Sequence, residues 1–373
     1  MPETRRFELA MSPHAASPDT TRRVMIDVAV ALLPALAAAV FFFGPRALLL
    51  TGLSVSAAVL TEWLCLRFMK KPVSIVLDGS AVVTGILLAY NVPPGVPWWI
   101  PILGSAFAIA VAKQAFGGLG SNIVNPALLG RAFLVASFPV LMTAGWWAPL
   151  RSGPGGDNSW DQSGIRTETL EGADVVSGAT PLNLLKQTFT WETGAAEAEA
   201  SGETADASAL RDRASSAREL LASPETRMSL LLGRVGGCIG ETSALMLLIG
   251  AIYLFARRVL EPRLPLSYLG AVAIFGWVFG GPGFLNGDPL LHLLSGGVVL
   301  GGFFMVTDMV TTPVTRRGRL IFGVGAGLLT MIIRRWGGYP EGCSYSILLM
   351  NLATPLIDRY TKPRAFGEVK KNG

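Results

Sequence analysis

Ten apolar stretches, each close to the length of a bilayer-spanning helix, dominate this sequence. A helix needs about 20 apolar residues to cross the hydrocarbon core of a membrane. Only 15% of the 373 residues are charged, against roughly 25% in soluble proteins, so a soluble fold would have a surface poor in charge. The sequence therefore predicts an all-α polytopic membrane protein, with spans over 24–43, 47–69, 73–91, 98–116, 124–144, 231–256, 265–281, 289–308, 318–333 and 341–360.

Charge is distributed unevenly between these stretches. Residues 145–235 carry 13 acidic and 8 basic groups, whereas the rest of the chain carries 13 acidic and 23 basic groups. Basic residues concentrate in cytoplasmic loops, which predicts both termini inside, residues 145–230 outside, and no nucleic-acid partner. Arg334 and Arg335 depart from this rule, because the count of spans places them near the outer face. The basic residues assigned to cytoplasmic connections are Arg67, Lys70, Lys71, Lys113, Arg257, Arg258, Arg263, Arg316, Arg317 and Arg319.

The chain divides into five predicted parts with two similar halves. Lys113-Gln-Ala-Phe-Gly-Gly118 is similar to Ile333-Arg-Arg-Trp-Gly-Gly338, each at the end of the fourth span of its half. Five spans per half would make the copies inverted, as in many transporters, although chance similarity between Gly-rich spans is an alternative. Residues 195–216 are either a mobile linker or a surface helix. The predicted parts are a cytoplasmic segment (1–23), a five-helix repeat (24–144), a periplasmic loop (145–230), a second five-helix repeat (231–360) and a cytoplasmic tail (361–373).

Neither a self-contained metal centre nor a nucleotide site is predicted. The three cysteines, Cys65, Cys238 and Cys343, lie far apart, and the chain has only two histidines. Packing cysteines are therefore expected, with an iron–sulfur cluster shared across a subunit interface as the alternative. The Gly-rich stretches lack the Lys-Ser/Thr of a phosphate-binding loop. Small-xxx-small spacing instead favours close helix packing at Gly233/Gly237, Gly297/Gly301 and Gly323/Gly327.

The sharpest local motif is Asp174-Val-Val-Ser-Gly-Ala-Thr180, followed by Pro181. From the residues alone, Thr180 is expected to be a helix N-cap with Pro181 at the first helical position. The motif also resembles the recognition sequence of flavin transferase, which esterifies a threonine hydroxyl with the phosphate of FMN. That resemblance implies FMN attached to Thr180, with Asp174, Ser177, Gly178 and Ala179 recognised by the transferase on the periplasmic side.

The resemblance extends over nearly the whole chain, to the family of RnfD subunits of Rnf electron-transport complexes. More remotely, it includes the NqrB subunits of sodium-translocating NADH:quinone reductases. Asp308-Met309 departs from the Asp-Pro expected in this family. The motifs that carry the resemblance are Ser12-Pro-His14, the stretches 117–126 and 307–313, Gly337-Gly-Tyr-Pro-Glu-Gly342 and the stretch 348–358.

The resemblance implies a flavoprotein subunit of a bacterial inner-membrane translocase that is not catalytically complete alone. It would relay electrons between ferredoxin and NAD through FMN, coupled to movement of Na⁺ or H⁺. The implied partners are a periplasmic FMN subunit, membrane iron–sulfur subunits and cytoplasmic NADH- and ferredoxin-type subunits. A noncovalent riboflavin is also compatible with the family, but no residue can be assigned to it. The alternatives are a quinone-reductase subunit and a non-redox inverted-repeat transporter, in which Thr180 would be only a helix cap.

Two further expectations concern residues at membrane depth. Asn125-Pro126 and residues 308–313 predict broken helices, which either shelter the isoalloxazine ring or form structural kinks. Acidic side chains in membrane spans are functional candidates by default, but those at span ends are expected to cap helices or pair in loops. These side chains are Asp27, Asp78 and Asp308, together with Glu62 in the middle of a span, which is not assigned as an ion ligand.

Overall fold

The computed structural model describes residues 20–144, 180–202, 204–281, 283–339 and 341–362, and the regular structure in these ranges is helical. Short 3-10 segments cover Val73–Asp78 and Ile239–Glu241, and π-helical segments cover Ala108–Gln114 and Gly301–Met305. The α-helices are α1 (Thr21–Phe43), α2 (Pro45–Phe68), α3 (Ser80–Tyr90), α4 (Trp99–Phe107), α5 (Pro126–Ser137), α6 (Pro139–Ala144), α7 (Pro181–Ala200), α8 (Thr204–Ala222), α9 (Pro224–Leu232), α10 (Ala244–Ala256), α11 (Arg263–Phe279), α12 (Pro289–Leu294), α13 (Val298–Leu300), α14 (Arg316–Trp336) and α15 (Cys343–Thr361).

The helices of the two halves pack into one apolar core. Helix α1 contacts both α2 and α10, α5 contacts α15, and α11 lies along α14. As single helices in the described ranges, α1 and α2 are long and apolar enough to cross a membrane. The all-α prediction is confirmed for the described residues, and each predicted span contains helical structure.

Several predicted spans are divided rather than continuous. The third consists of the 3-10 turn Val73–Asp78 and α3, which are joined by Gly79 at a φ of 82°. The fourth continues from α4 into a π-helix, and the eighth passes from α12 through α13 into the second π-helix. π-Helical turns are frequent at functional sites, and both of these line the interior of the molecule.

The sixth span begins later than predicted. Gly233 ends α9 at a φ of 97°, and irregular chain follows until Ser243 caps α10, where its Oγ accepts a hydrogen bond from Met246 N. Gly233 therefore caps a helix instead of lying within one, but the predicted close approach is found there, since an added Cβ would lie 2.3 Å from the Thr242 carbonyl oxygen. The same prediction is confirmed at Gly323, where an added Cβ would lie 3.0 Å from the Tyr268 backbone nitrogen.

A helical hairpin formed by α7 and α8 precedes the second half. Ala195 on α7 and Ala207, Ala214 and Ala217 on α8 are buried as the two helices pack along each other. The linker interpretation of residues 195–216 is wrong for all of these residues except 203, which lies outside the described ranges. Small side chains let the two helices approach closely, and this contact stabilises the hairpin.

Charged side chains at membrane depth are paired. Lys113 was assigned to a cytoplasmic connection, but it is 1% exposed and forms an ion pair with Glu62. The Lys113 charge is therefore neutralised inside the protein and does not indicate which end of the span faces the cytoplasm. Arg334, which departs from the predicted distribution of basic residues, is also buried, and it donates to the carbonyls of His292 (2.7 Å) and Ser295 (2.8 Å).

The expected local pairing of the span-end carboxylates is confirmed for Asp78 and Asp308 but not for Asp27, whose partners lie on α10 or directly after it. Asp27 accepts a hydrogen bond from Tyr253 Oη at 2.9 Å. Asp78 accepts from the backbone N–H of Ser80 at 2.7 Å, and Asp308 accepts from that of Val310 at 3.2 Å. Of the cysteines, Cys238 and Cys343 are buried as expected, whereas Cys65 is only partly buried.

Candidate cofactor site at Thr180

Thr180 begins helix α7 as its N-cap. Its backbone is extended, Pro181 follows at the first helical position, and its Oγ1 accepts a hydrogen bond from Asn183 N at 3.2 Å. The predicted cap is confirmed. The other motif residues, Asp174, Ser177, Gly178 and Ala179, lie outside the described ranges.

The Thr180 side chain lines a cavity of about 80 Å³ between α5, α7 and the segments that precede α10 and α15. Leu182, Leu230 and Leu294 form apolar wall, and the rings of Tyr339 and Tyr345 stack with their centroids 5.6 Å apart. A mixed apolar and aromatic lining with few polar groups is typical of cofactor pockets. The polar lining includes Arg131, Thr143, Glu241, Thr242, Glu341 and Ser344.

Helix α5 places Arg131 in this wall. Asn125 caps the helix, its Oδ1 accepting from Ala127 N at 3.0 Å, and Pro126 occupies the first position. The helix lies close to its neighbours, since a Cβ added at Gly130 would lie 2.9 Å from the Gly104 carbonyl oxygen. Arg131 lies about one turn beyond the buried Leu128, and its side chain extends into the protein interior.

Arg131 is held by neutral and acidic partners from both halves of the chain. Its Nη1 donates to Asn91 Oδ1 and to Ser344 Oγ, each at 2.8 Å, and its Nη2 forms an ion pair with Glu341. The Glu341 Oε1 also accepts a hydrogen bond from Gly297 N at 2.9 Å. A guanidinium with this many partners is positioned rigidly.

Lys186 attaches α7 to the loop between α14 and α15. Its Nζ donates to the Gly337 carbonyl and lies 3.5 Å from the Tyr339 carbonyl oxygen. Burial lowers the pKa of Lys186. The contact keeps the N-terminus of α7, and with it Thr180, beside the aromatic pair. A second contact joins α7 to α14, since the Arg335 guanidinium lies 4.0 Å from the ring centroid of Phe189.

The two predicted helix breaks meet in a separate, larger cavity of about 490 Å³. Asn125, Pro126 and residues 307–310 line it, together with Ser80 and Lys113. Thr180 does not line this second cavity. The structure thus brings the two breaks together, as the ring-pocket hypothesis requires, but it places the attachment residue in the other cavity.

Sequence reasoning missed the three charged residues that line the Thr180 cavity. Arg131 and Glu241 lie within predicted spans 124–144 and 231–256, so the rarity of charge at membrane depth was a usable signal. Glu341 was quoted only as part of a family motif. Their convergence could not be seen, because Arg131 and Glu341 are 210 positions apart.

Known proteins resemble this chain over nearly its whole length. The family described as NQR2, RnfD, RnfE matches residues 8–367. The chain is 45% identical to the D subunit of the Na⁺-translocating ferredoxin:NAD⁺ oxidoreductase complex of Acetobacterium woodii, over 97% of this chain and 96% of the relative. It is 40% identical to the D subunit of the proton-translocating ferredoxin:NAD⁺ oxidoreductase complex of Clostridium ljungdahlii, with the same coverage. It is 38% identical to the D subunit of an ion-translocating oxidoreductase complex of Cronobacter sakazakii, over 97% and 99%.

Proposed function

This chain belongs to the NQR2, RnfD, RnfE family, and from that premise we propose that it is the D-type membrane subunit of an Rnf-type complex. The complex couples electron transfer between ferredoxin and NAD to ion translocation, and this subunit relays electrons through FMN esterified to Thr180. One observation carries the flavin assignment. Thr180 lines a partly apolar cavity, and the same residue is the N-cap of a 20-residue helix.

The residues around Thr180 fit a phosphoester-linked flavin. A helix N-terminus favours an anion, because its free N–H groups and dipole stabilise negative charge. The Tyr339–Tyr345 pair offers an aromatic surface for a planar ring, and Arg131 adds a positive charge in the same wall. When bound, the flavin supplies reversible electron uptake, while the protein supplies its attachment oxygen, its orientation and its surroundings.

The attachment is tested by in-gel ultraviolet fluorescence of the denatured protein after coexpression with a flavin transferase. We expect a fluorescent wild-type band that is lost in Thr180→Val. Thr180→Asp is the sharper variant, because an aspartate retains an N-cap acceptor but has no hydroxyl to esterify. Thr190→Val, on an exposed face of the same helix, is the matched control and should fluoresce. A dark wild-type band, or a fluorescent Thr180→Asp band, would refute the assignment.

The topology that accompanies this function has ten spans arranged as two inverted five-helix repeats in the bacterial inner membrane. Both termini are cytoplasmic, and residues 145–230 form a periplasmic domain. Contacts of α1 with α10 and of α5 with α15 support two intertwined halves. A cysteine at the exposed Ser208 should react with a membrane-impermeant maleimide added outside intact spheroplasts. Labelling only after lysis would contradict this orientation.

The partners follow from membership in such a complex. They comprise a periplasmic FMN subunit, membrane iron–sulfur subunits, cytoplasmic NADH- and ferredoxin-type subunits, and the flavin transferase during maturation. Relatives named for Na⁺ and for protons are 45% and 40% identical to this chain, so the proposal includes either ion. The 490 Å³ cavity has room for part of a second, noncovalent riboflavin. Chromatography of flavins released by acid should then yield riboflavin, and release of none would exclude it.

A quinone-reductase subunit is the second candidate, because the family description includes NQR2. The choice depends on the electron partner of the purified complex. Rapid electron exchange with ferredoxin supports the Rnf assignment, whereas exchange with quinone alone would replace it with the quinone-reductase assignment. A complex that transfers no electrons but moves solute would support a transporter instead.

A further inference from the structure

Two buried carboxyl groups lie side by side in the wall of the Thr180 cavity. Glu241 precedes α10 and Glu341 precedes α15, and both line the cavity. A Cβ added at Gly297 would lie 2.5 Å from Glu341 Oε1 and 2.9 Å from Glu241 Oε1. The two Oε1 atoms therefore face the same point beside Gly297. Two buried carboxylates this close repel each other, which favours one proton shared by the pair.

The hydrogen-bond partners determine which carboxyl group holds this proton. Glu341 receives N–H donors on both oxygens, Gly297 N on Oε1 and Arg131 Nη2 on Oε2. Such donors stabilise the ionised form. The Glu241 side chain is only 7% exposed, and its Oε1 accepts no hydrogen bond from the described residues. Arg131 Nη1 lies 4.0 Å from this oxygen, beyond hydrogen-bonding distance. Glu341 is therefore the carboxylate and Glu241 the carboxylic acid.

The other titratable groups facing the pair do not replace this proton. Arg334 comes near Glu341, but its guanidinium donates to two backbone carbonyls. The remaining neighbours are neutral donors or weak acids. The facing groups are Arg131 from α5, Arg334 from α14, Cys238 from the segment before α10, and Cys343 and Tyr345 from α15.

We propose that Glu241 and Glu341 form a proton-exchange site for the redox group bound in the Thr180 cavity. In the exchange, the O–H bond of Glu241 breaks and an N–H bond forms on the isoalloxazine ring. The electrons come from a reduced iron–sulfur or flavin carrier of a neighbouring subunit, which is oxidised. Arg131 stabilises the two carboxylates that remain. The identity of the redox group rests on the proposed function, whereas the shared proton does not.

The shared proton is tested by infrared spectroscopy of the purified full-length protein at neutral pH. We expect a carbonyl band of a protonated carboxyl group, sensitive to D₂O, that disappears in Glu241→Gln and persists in Thr180→Val. Glu261→Gln is the control, since Glu261 is 38% exposed and pairs with Arg263 and Arg319 far from the cavity. If Glu241→Gln does not fold, as judged by gel filtration, Glu341→Gln should remove or shift the same band. A spectrum unchanged by a folded variant at either position would overturn the proposal.

The exchange itself is tested by a reduced-minus-oxidised infrared difference spectrum of the flavin-loaded protein. Wild type should lose the Glu241 band on reduction, and Glu241→Gln should show no such change. A Glu241 band that persists while flavin absorbance bleaches would overturn the exchange. Failure of flavin attachment is seen separately, as a dark wild-type band in the gel, and leaves the first spectrum as a valid test of the shared proton.

Discussion

Lys113→Met should destabilise this protein more than loss of a surface charge would. Lys113 and Glu62 are 1% and 0% exposed. Among the described residues, the substitution leaves the buried Glu62 carboxylate with only the Gln114 amide as a donor, at 2.8 Å. Removing one member of a buried ion pair costs about 3–5 kcal/mol. Ser80, which also contacts Lys113 Nζ at 2.6 Å, keeps its hydrogen bond to Asp78. The loss is therefore dominated by the stranded carboxylate.

The matched double variant Glu62→Gln with Lys113→Met removes both charges. The amide introduced at position 62 can still pair with Gln114, and replacing a buried ion pair with neutral groups is often close to neutral in stability. We expect the double variant to unfold within about 1.5 kcal/mol of wild type. Lys71→Met, which removes a solvent-exposed hydrogen bond of 2.7 Å from a partly exposed lysine to the Gly117 carbonyl, should change stability by no more than about 0.5 kcal/mol.

The free energies of unfolding can be measured in mixed micelles of mild detergent and dodecyl sulfate, with tryptophan fluorescence as the signal. The difference between the double variant and the sum of the single variants gives the coupling energy. Lys113→Met as stable as Lys71→Met would refute the claim that the pair is desolvated. A double variant as unstable as Lys113→Met would show that Lys113 acts through packing rather than charge.

Two glycine substitutions test close contacts elsewhere. Gly297→Ala forces a methyl group to within 2.5 Å of Glu341 Oε1 and should lower the free energy of unfolding by about 1–3 kcal/mol. Gly338→Ala is the control, because a Cβ there has nothing within 4 Å. Equal unfolding curves for the two variants would contradict the contact at Gly297. Gly323→Ala should destabilise by a similar amount, because its Cβ would overlap a serine hydroxyl of α11. Gly270→Ala, in open space on α11, is its control in the same assay, and a Gly323→Ala variant as stable as this control would exclude tight α11–α14 packing.

Local patterns predicted local features well. Asp27 pairs across 226 positions, but the Thr180 cap and the hydrogen bonds accepted by Asp78 and Asp308 depend on residues within a few positions of one another. Hydrogen bonds of this kind form wherever the chain adopts the local conformation. The divided spans and the late start of α10 were not predicted, because hydropathy counts apolar residues and does not detect a backbone turn at Gly79 or Gly233.

The sequence by itself placed the chain in its family, predicted an all-α fold and identified Thr180 as a helix cap. Only the tertiary structure decided that Glu62 meets Lys113 across 51 positions and that Arg131 joins residues of both halves. The reason is that membrane helices are apolar on all sides. Their outward faces are as apolar as their packed faces, as shown by Leu33, Leu48 and Leu60, each more than half exposed. An amphipathic pattern therefore cannot identify which faces meet, and the cavity beside Thr180 exists only where several such faces converge.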